Sequence, residues 1–291
     1  MEHTDKLKKY LAYDGKVAIT VAETTEIVEE ARKIHDLTPT TTAALGRLLT
    51  AVTLMGVDLK NENDSITAQI KGDGPIGTMI AVSDKNPNVR AYIQNPHIEL
   101  PLNPNGKIDV GGAVGKSGYL NVIKDIGLKE PYVGNVPLQT GEIAEDFAYY
   151  YAMSEQTASA VALGVLVEKD GSVKKAGGYV LQIMPDTPDE IISLIEQRLK
   201  ESKSITQMLE EGMTLEEIAK YISDDLATYE VEELHPKYKC DCSRERMEKA
   251  LISIGKKDIM ELAEDEETEL TCQFCNKKYK FSKEEILNLI K

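Results

Sequence analysis

The apolar and polar residues change period several times along the chain, and each change marks an element. Val17, Ile19 and Val21 alternate after the turn-like Tyr13-Asp14-Gly15-Lys16, as on a half-buried strand. Ile27, Ala31 and Ile34 then recur at helical spacing. Thr38-Pro39 is an N-cap followed by a first-turn proline, and predicts a helix running to Gly56. Apart from Arg47 that helix is apolar almost all round, which places it in a core against sheet. Ile66, Ala68 and Ile70 alternate again, TMIAVSD and VRAYIQ read as further strands, and a helix is expected from Glu142 to Glu155. VALGVLV and YVLQIM flank Lys169-Asp170-Gly171-Ser172, and Asp-Gly between apolar runs predicts a hairpin. Strands and helices are interspersed without regular βαβ alternation, so the expected fold class is α+β.

The pattern shifts near Met184. Thr187-Pro188-Asp189-Glu190, Ser204-Ile205-Thr206-Gln207 and Thr214-Leu215-Glu216-Glu217 each fit a capping box, predicting three short helices with apolar stripes such as Ile191, Leu194, Ile195 and Leu199. Residues 180–234 hold fourteen acidic and four basic residues, ten of the net charge of −15. Helices under about 12–15 residues are marginal alone, and acidic repulsion weakens these further. The segment reads either as a solvated connector or as one poised to unfold. Beyond it, Ser243 caps RERMEKALISI, Gly255 ends that helix, a short helix is expected over Ile259–Ala263, and Ser282-Lys283-Glu284-Glu285 opens a last one. With Phe274, Phe281 and few large aliphatics, residues 235–291 have a thin core, and units this small often need a metal or disulfides. The expected organisation is an N-terminal mixed sheet-and-helix domain over 1–183, an acidic helical linker over 184–234 and a small C-terminal domain over 235–291.

Composition narrows the function classes. At 291 residues, 42% hydrophobic and 29% charged, the chain suits two globular units with a connecting segment. A net charge of −15 and a pI near 4.9 argue against nucleic acid. No apolar run approaches the roughly 18 residues that span a bilayer, and the first residues have no apolar stretch suited to a secretory signal. A cytoplasmic protein without a membrane partner is expected. Gly72-Asp73-Gly74-Pro75-Ile76-Gly77 matches a dinucleotide fingerprint in spacing, but strand-like residues follow it, so a tight inter-strand turn is expected. Gly115-Lys116-Ser117 lacks the earlier glycine of a P-loop, and is read as a loop. His3, His35, His97 and His235 show no catalytic zinc spacing, although His235 lies five residues before Cys240. Nothing nominates a catalytic pocket, and no enzyme is expected.

The four cysteines are the informative residues. Cys240, Cys242, Cys272 and Cys275 form Cys-Asp-Cys and Cys-Gln-Phe-Cys, and the first 239 residues have none. Such clustering reads as a metal or redox site in a reducing compartment rather than a secreted disulfide framework. Four thiolates in two close pairs suit Zn²⁺ tetrahedrally. A closed four-sulfur site leaves no open position for metal catalysis. Cys-x-Cys places two thiols where a local disulfide can form, and Lys237, Lys239, Arg244 and Arg246 are cations of the kind that lower thiol pKa. A purely structural zinc site is the simplest alternative. A zinc-ribbon adaptor using Lys277, Lys278, Lys280 and Lys283 and a thiol oxidoreductase using Cys272 and Cys275 are two further ones.

YKCDCSRERMEKAL and AEDEETELTCQFCNKKYKFS resemble the zinc-binding C-terminus of the 33-kilodalton heat-shock protein family, the redox-regulated bacterial chaperones. GDGPIG, SGYLNVIKDIG and FAYYYAMSEQ resemble stretches of that family's N-terminal domain. The resemblance implies an ATP-independent holdase for unfolding proteins under oxidative stress. It implies an inactive reduced form with one Zn²⁺ per chain on Cys240, Cys242, Cys272 and Cys275. It further implies that oxidation pairs Cys240 with Cys242 and Cys272 with Cys275, releases zinc and unfolds the linker. The implied partners are unfolded or aggregation-prone client proteins and, above all when oxidised, a second copy of the chain.

Overall fold

A computed structural model describes residues 5–225 and 228–289; His3, residues 226–227 of the acidic segment and residues 290–291 lie outside them. The chain divides into two compact units, Met1–Tyr238 and Lys239–Lys291.

The first unit begins with the antiparallel pair β1 (Lys6–Ala12) and β2 (Val17–Glu23), then helices α1 (Thr25–His35) and α2 (Pro39–Gly56). Strands β3 (Ser65–Gly72), β4 (Thr78–Asp84) and β5 (Asn88–Ile93) follow, then a short α3 (Val110–Val114), β6 (Gly118–Asp125) and β7 (Tyr132–Pro137). Helix α4 (Ala144–Met153) leads to the hairpin of β8 (Ser159–Val167) and β9 (Val173–Ile183). The acidic segment supplies α5 (Asp189–Glu201), α6 (Ile205–Glu210), α7 (Leu215–Ser223) and a strand absent from the sequence expectation, β10 (Tyr229–Leu234); just beyond it lies another, β11 (Lys237–Tyr238). The sheets run in the order β10-β1-β2-β9-β8 and β11-β5-β4-β3-β6-β7.

Helix α2 packs on both sheets, and every residue in it except Pro39 and Arg47 is buried. The Thr38 side chain accepts the Thr41 N–H as its cap. Arg47 reaches the edge of the core, where its Nη1 donates to the Glu142 carboxylate at 2.6 Å and the Glu142 carbonyl at 3.1 Å. The GDGPIG segment is the turn joining β3 to β4, and Gly115-Lys116-Ser117 lies in the loop between α3 and β6. The helix expected over Glu142–Glu155 is shorter, because the Asp146 carboxylate gathers the N–H groups of Gln139, Thr140 and Ile143 at 2.6, 3.1 and 2.9 Å and turns the chain before Ala144.

The other face of the five-stranded sheet presents Tyr10, Val17, Ile19, Val21, Tyr179 and Leu181. The apolar stripes of α5–α7, with Ile195, Met208, Leu209, Ile218 and Ile222, cover it. Capping boxes form at Ser204 and Thr214. The one expected at Thr187 does not: Thr187 Oγ1 donates to the carbonyls of Lys16 and Met184 at 2.9 and 2.7 Å, and Pro188 stands at the helix entrance. Strand β10 pairs antiparallel with β1, and β11 adds parallel to β5, with Tyr238 Oη donating to the Ala91 carbonyl.

The second unit holds α8 (Arg244–Ile254), α9 (Lys256–Leu262), the antiparallel hairpin of β12 (Glu267–Thr271) and β13 (Lys278–Ser282), and α10 (Lys283–Asn288). Among the described residues its buried apolar core is seven residues: Leu251, Ile259, Ala263, Cys272, Tyr279, Phe281 and Ile286. The chain is therefore α+β throughout, as its pattern predicts. Among the described residues, no helix is long and apolar enough to cross a membrane.

Candidate metal and redox centre

Two local structures deliver the four cysteines. Ser243 caps α8 by accepting the Arg246 N–H, so Cys240-Asp241-Cys242 is the extended lead into a helix. Cys272 and Cys275 sit on the turn joining β12 to β13. There the Cys272 carbonyl accepts the N–H of Asn276 at 2.8 Å, and the Cys272 N–H donates to the Lys277 carbonyl at 2.9 Å. Asn276 takes the left-handed conformation that this tight knuckle needs, at φ 56°. The hairpin register sets Leu270 opposite Tyr279, and the Tyr279 hydroxyl donates to Cys242 Sγ at 3.1 Å.

All four sulfurs lie within 4.8 Å of one another. Cys240 and Cys272 are 3.7 Å apart, and Cys242 and Cys275 are 3.4 Å apart. Thiolates at ~2.3 Å on a tetrahedral Zn²⁺ stand about 3.8 Å from each other. The separations therefore suit a four-sulfur metal site. Cys272 is buried and the others are half-buried. The donor set is soft and acceptor-only once deprotonated, which favours zinc over hard cations.

The thiols are not equivalent. Burial pushes Cys240 and Cys275 above the ordinary thiol range. Burial also acts upward on Cys242, but the Tyr279 hydrogen bond and the neighbouring thiols outweigh it, and Cys242 titrates below its ordinary value. Tyr279 is in turn raised, first by its bond to Cys242. Thiol activation by flanking cations is the expectation from sequence, but the two arginines among them have other partners. Arg244 donates to Glu285 at 2.6 Å and to the Lys280 carbonyl and lies over the Phe281 ring, while Arg246 pairs with Asp241. Lys237 belongs to β11 in the first unit. The three described histidines do not join the thiols: His35 Nε2 lies 3.3 Å from Tyr238 Oη, His97 meets Asp36 and His235 meets Glu233.

Two alternative readings lose their support here. A thioredoxin-type Cys-x-x-Cys opens a helix, whereas this one turns between two strands. Of the lysines available to an adaptor surface, Lys278 pairs with Glu269 at 2.8 Å and Lys280 with Glu267 at 2.6 Å.

The family model described as Hsp33 protein matches residues 5–282. The chain belongs to the Hsp33 family. The 33 kDa chaperonin of Clostridium perfringens is 53% identical over 289 residues, covering 99% of this chain and 91% of that protein. That of Clostridium beijerinckii is 50% identical over 98% of each. The crystal structure of the 33 kDa chaperonin of Thermotoga maritima, a heat shock protein 33 homolog, superposes with a TM-score of 0.91 at 40% identity, covering 99% of this chain and 98% of that one. As a member of the Hsp33 family the chain is a chaperone and not an enzyme, and its four clustered cysteines fit a zinc or redox centre.

Proposed function

We propose that the chain is a redox-regulated, ATP-independent holdase for unfolded or aggregation-prone clients, inactive while reduced and zinc-bound. The observation that carries this reading is the convergence of the four thiols inside a unit whose small core includes one of them, Cys272. When bound, Zn²⁺ would hold the thiolates of Cys240, Cys242, Cys272 and Cys275 together and so clamp the α8 lead to the hairpin turn. Such sites contribute roughly 10–16 kcal/mol in small peptides, against the ~5–15 kcal/mol that holds a whole domain together. With seven buried residues in its core, the second unit cannot match that from packing alone.

Oxidation pairs Cys240 with Cys242 and Cys272 with Cys275. Each pair of thiolates gives up two electrons to peroxide, which takes two protons from solvent and leaves as two waters. In the reduced geometry the short sulfur separations run across the two segments instead, so the local disulfides form as the cluster opens. The functional parts are then the core over 1–183, a metastable linker over 184–234 and the switch over 235–291. The linker follows the switch because its helices of 13, 6 and 9 residues are marginal alone and carry the acidic excess. Its departure bares the apolar sheet face beneath for unfolded chains, and the acidic charge keeps the complex soluble. Free thiols clustered this way belong in the reducing cytoplasm, and the bared face also allows a homodimer of the oxidised form.

The test follows aggregation of a chemically unfolded protein and zinc release, read by a chromogenic chelator, in one ATP-free sample. Peroxide with mild heat is compared with a reductant control. Protection that rises only as about one zinc per chain is lost supports the holdase. Zinc release without protection would leave the site structural and end this reading.

A further inference from the structure

An unpaired sheet edge is a template for another extended chain, and proteins usually blunt it. Strand β10 ends its sheet with Glu230, Glu232 and Glu233; β11 is two residues long; β7 follows Pro131 and ends on Pro137. Strand β8, at the other edge of the five-stranded sheet, has none of these protections. It is nine residues long, and no charged side chain occurs from Gln156 to Val167 in a chain of net charge −15.

The Ile183 N–H donates to the Ala158 carbonyl at 2.9 Å, across residues that the ladder sets opposite each other. That fixes the phase: even-numbered residues of β8 bond to β9, while Ser159, Val161, Leu163 and Val165 turn N–H and C=O outward. Among the described residues, nothing bonds to those outward groups. On the linker side β8 presents Ala160, Ala162 and Gly164, a shelf of small residues. Helix α6 fills it so closely that a Cβ on Gly164 would stand 2.7 Å from the Thr206 methyl and 2.9 Å from that of Ile205. The shelf's present occupants are thus the methyls of two β-branched side chains, on a segment proposed to leave on activation.

We propose that β8 is the edge on which clients add. An extended, uncharged client segment rich in β-branched and aliphatic residues bonds to the outward backbone of Val161, Leu163 and Val165. Its side chains take the shelf that Ile205 and Thr206 vacate. This assignment rests on the holdase reading and names its client class, which is also the class most prone to aggregate.

The experiment is amide exchange by mass spectrometry on the full-length oxidised, zinc-free protein, with and without a chemically unfolded client, beside the V161P variant. Proline removes one outward N–H that β9 does not use. Client is expected to slow exchange in the peptide spanning 157–167. V161P is expected to release zinc like the parent while holding client about fivefold more weakly, in line with one or two lost bonds. A held client that leaves β8 exchange unchanged overturns the assignment and spares the holdase reading, even if V161P fails to fold. Wild-type protein that holds no client overturns both. Protection of β8 without client, growing with protein concentration, makes a second copy the occupant and also overturns the client assignment.

Discussion

The five-stranded sheet is covered on its two faces by helices of opposite character. On one side α2 is 18 residues long, contains no acidic residue and is buried against both sheets. On the other side α5, α6 and α7 rest on a single sheet face and turn the rest of their surface outward; Ile195 is the only fully buried residue of α5. Ion pairs such as Lys203–Glu211 and Lys220–Glu216, both at 2.6 Å, lie at the surface, where such pairs are worth about 0–1 kcal/mol. Both covers use the same apolar chemistry on the same strands. One is sealed between two sheets and the other covers a single face, so under the proposed mechanism the sheet has a permanent side and a removable one.

The sharpest way to break this comparison is amide exchange through activation. After peroxide treatment, amides of α5–α7 should exchange at least ~100-fold faster, the signature of local unfolding, while α2 keeps the slow exchange of the global core. Equal acceleration in both helices would mean that the whole unit melts and that the two faces do not differ.

Core truncations probe the same contrast at single residues. Leu48 in α2 and Ile218 in α7 are both completely buried, and truncating such side chains to alanine costs about 2–5 kcal/mol. L48A should lower the urea midpoint of the first unit without changing how much oxidant activation needs. I218A should leave α2 intact but loosen the linker, raising client protection in the reduced, zinc-loaded protein. If I218A stays silent when reduced while L48A becomes active, the removable side has been assigned to the wrong face.

What was legible from the sequence follows the same division between local and distant causes. Thr38-Pro39 marks the start of α2 because a cap and a first-turn proline act within four residues. Asp170-Gly171 marks the β8–β9 hairpin for a similar reason. Strand β10 was invisible because Tyr-Glu-Val-Glu-Glu-Leu is largely exposed and owes its structure to β1; Lys8 bonds to Glu230 at 2.8 Å and Glu233 at 2.6 Å from more than 200 positions away. Strand β11 depends likewise on Tyr238 reaching Ala91. At the centre, spacing alone exposed the four cysteines, but the donor to Cys242 did not come from the nearby cations. Arg244 and Arg246 found carboxylates, and Tyr279 reached the sulfur through a hairpin register that no local pattern encodes.

The smallest expected effect concerns how the permanent side is fastened. Glu29 of α1 accepts Arg32 Nε and Nη2, each at 2.7 Å, and the Val173 N–H of β9 at 3.1 Å, tying helix to strand. The Arg32 hydrogen bond, with help from the Val173 N–H, outweighs burial and holds its pKa at about 2, against 4.5 for a free glutamate. A carboxylate depressed on folding stabilises the fold fully above its unfolded pKa, and the contribution fades as pH falls through the folded one. The window is therefore about pH 4.5 down to 2. E29Q should lower first-unit stability by ~1 kcal/mol at pH 7, the scale of a partly exposed charged hydrogen bond. Urea unfolding at stepped pH should show the gap between parent and variant closing across that window. A gap that persists unchanged to pH 2 would show that Glu29 acts through packing and not through its charge, and a gap that also widened linker exchange would tie the two faces together.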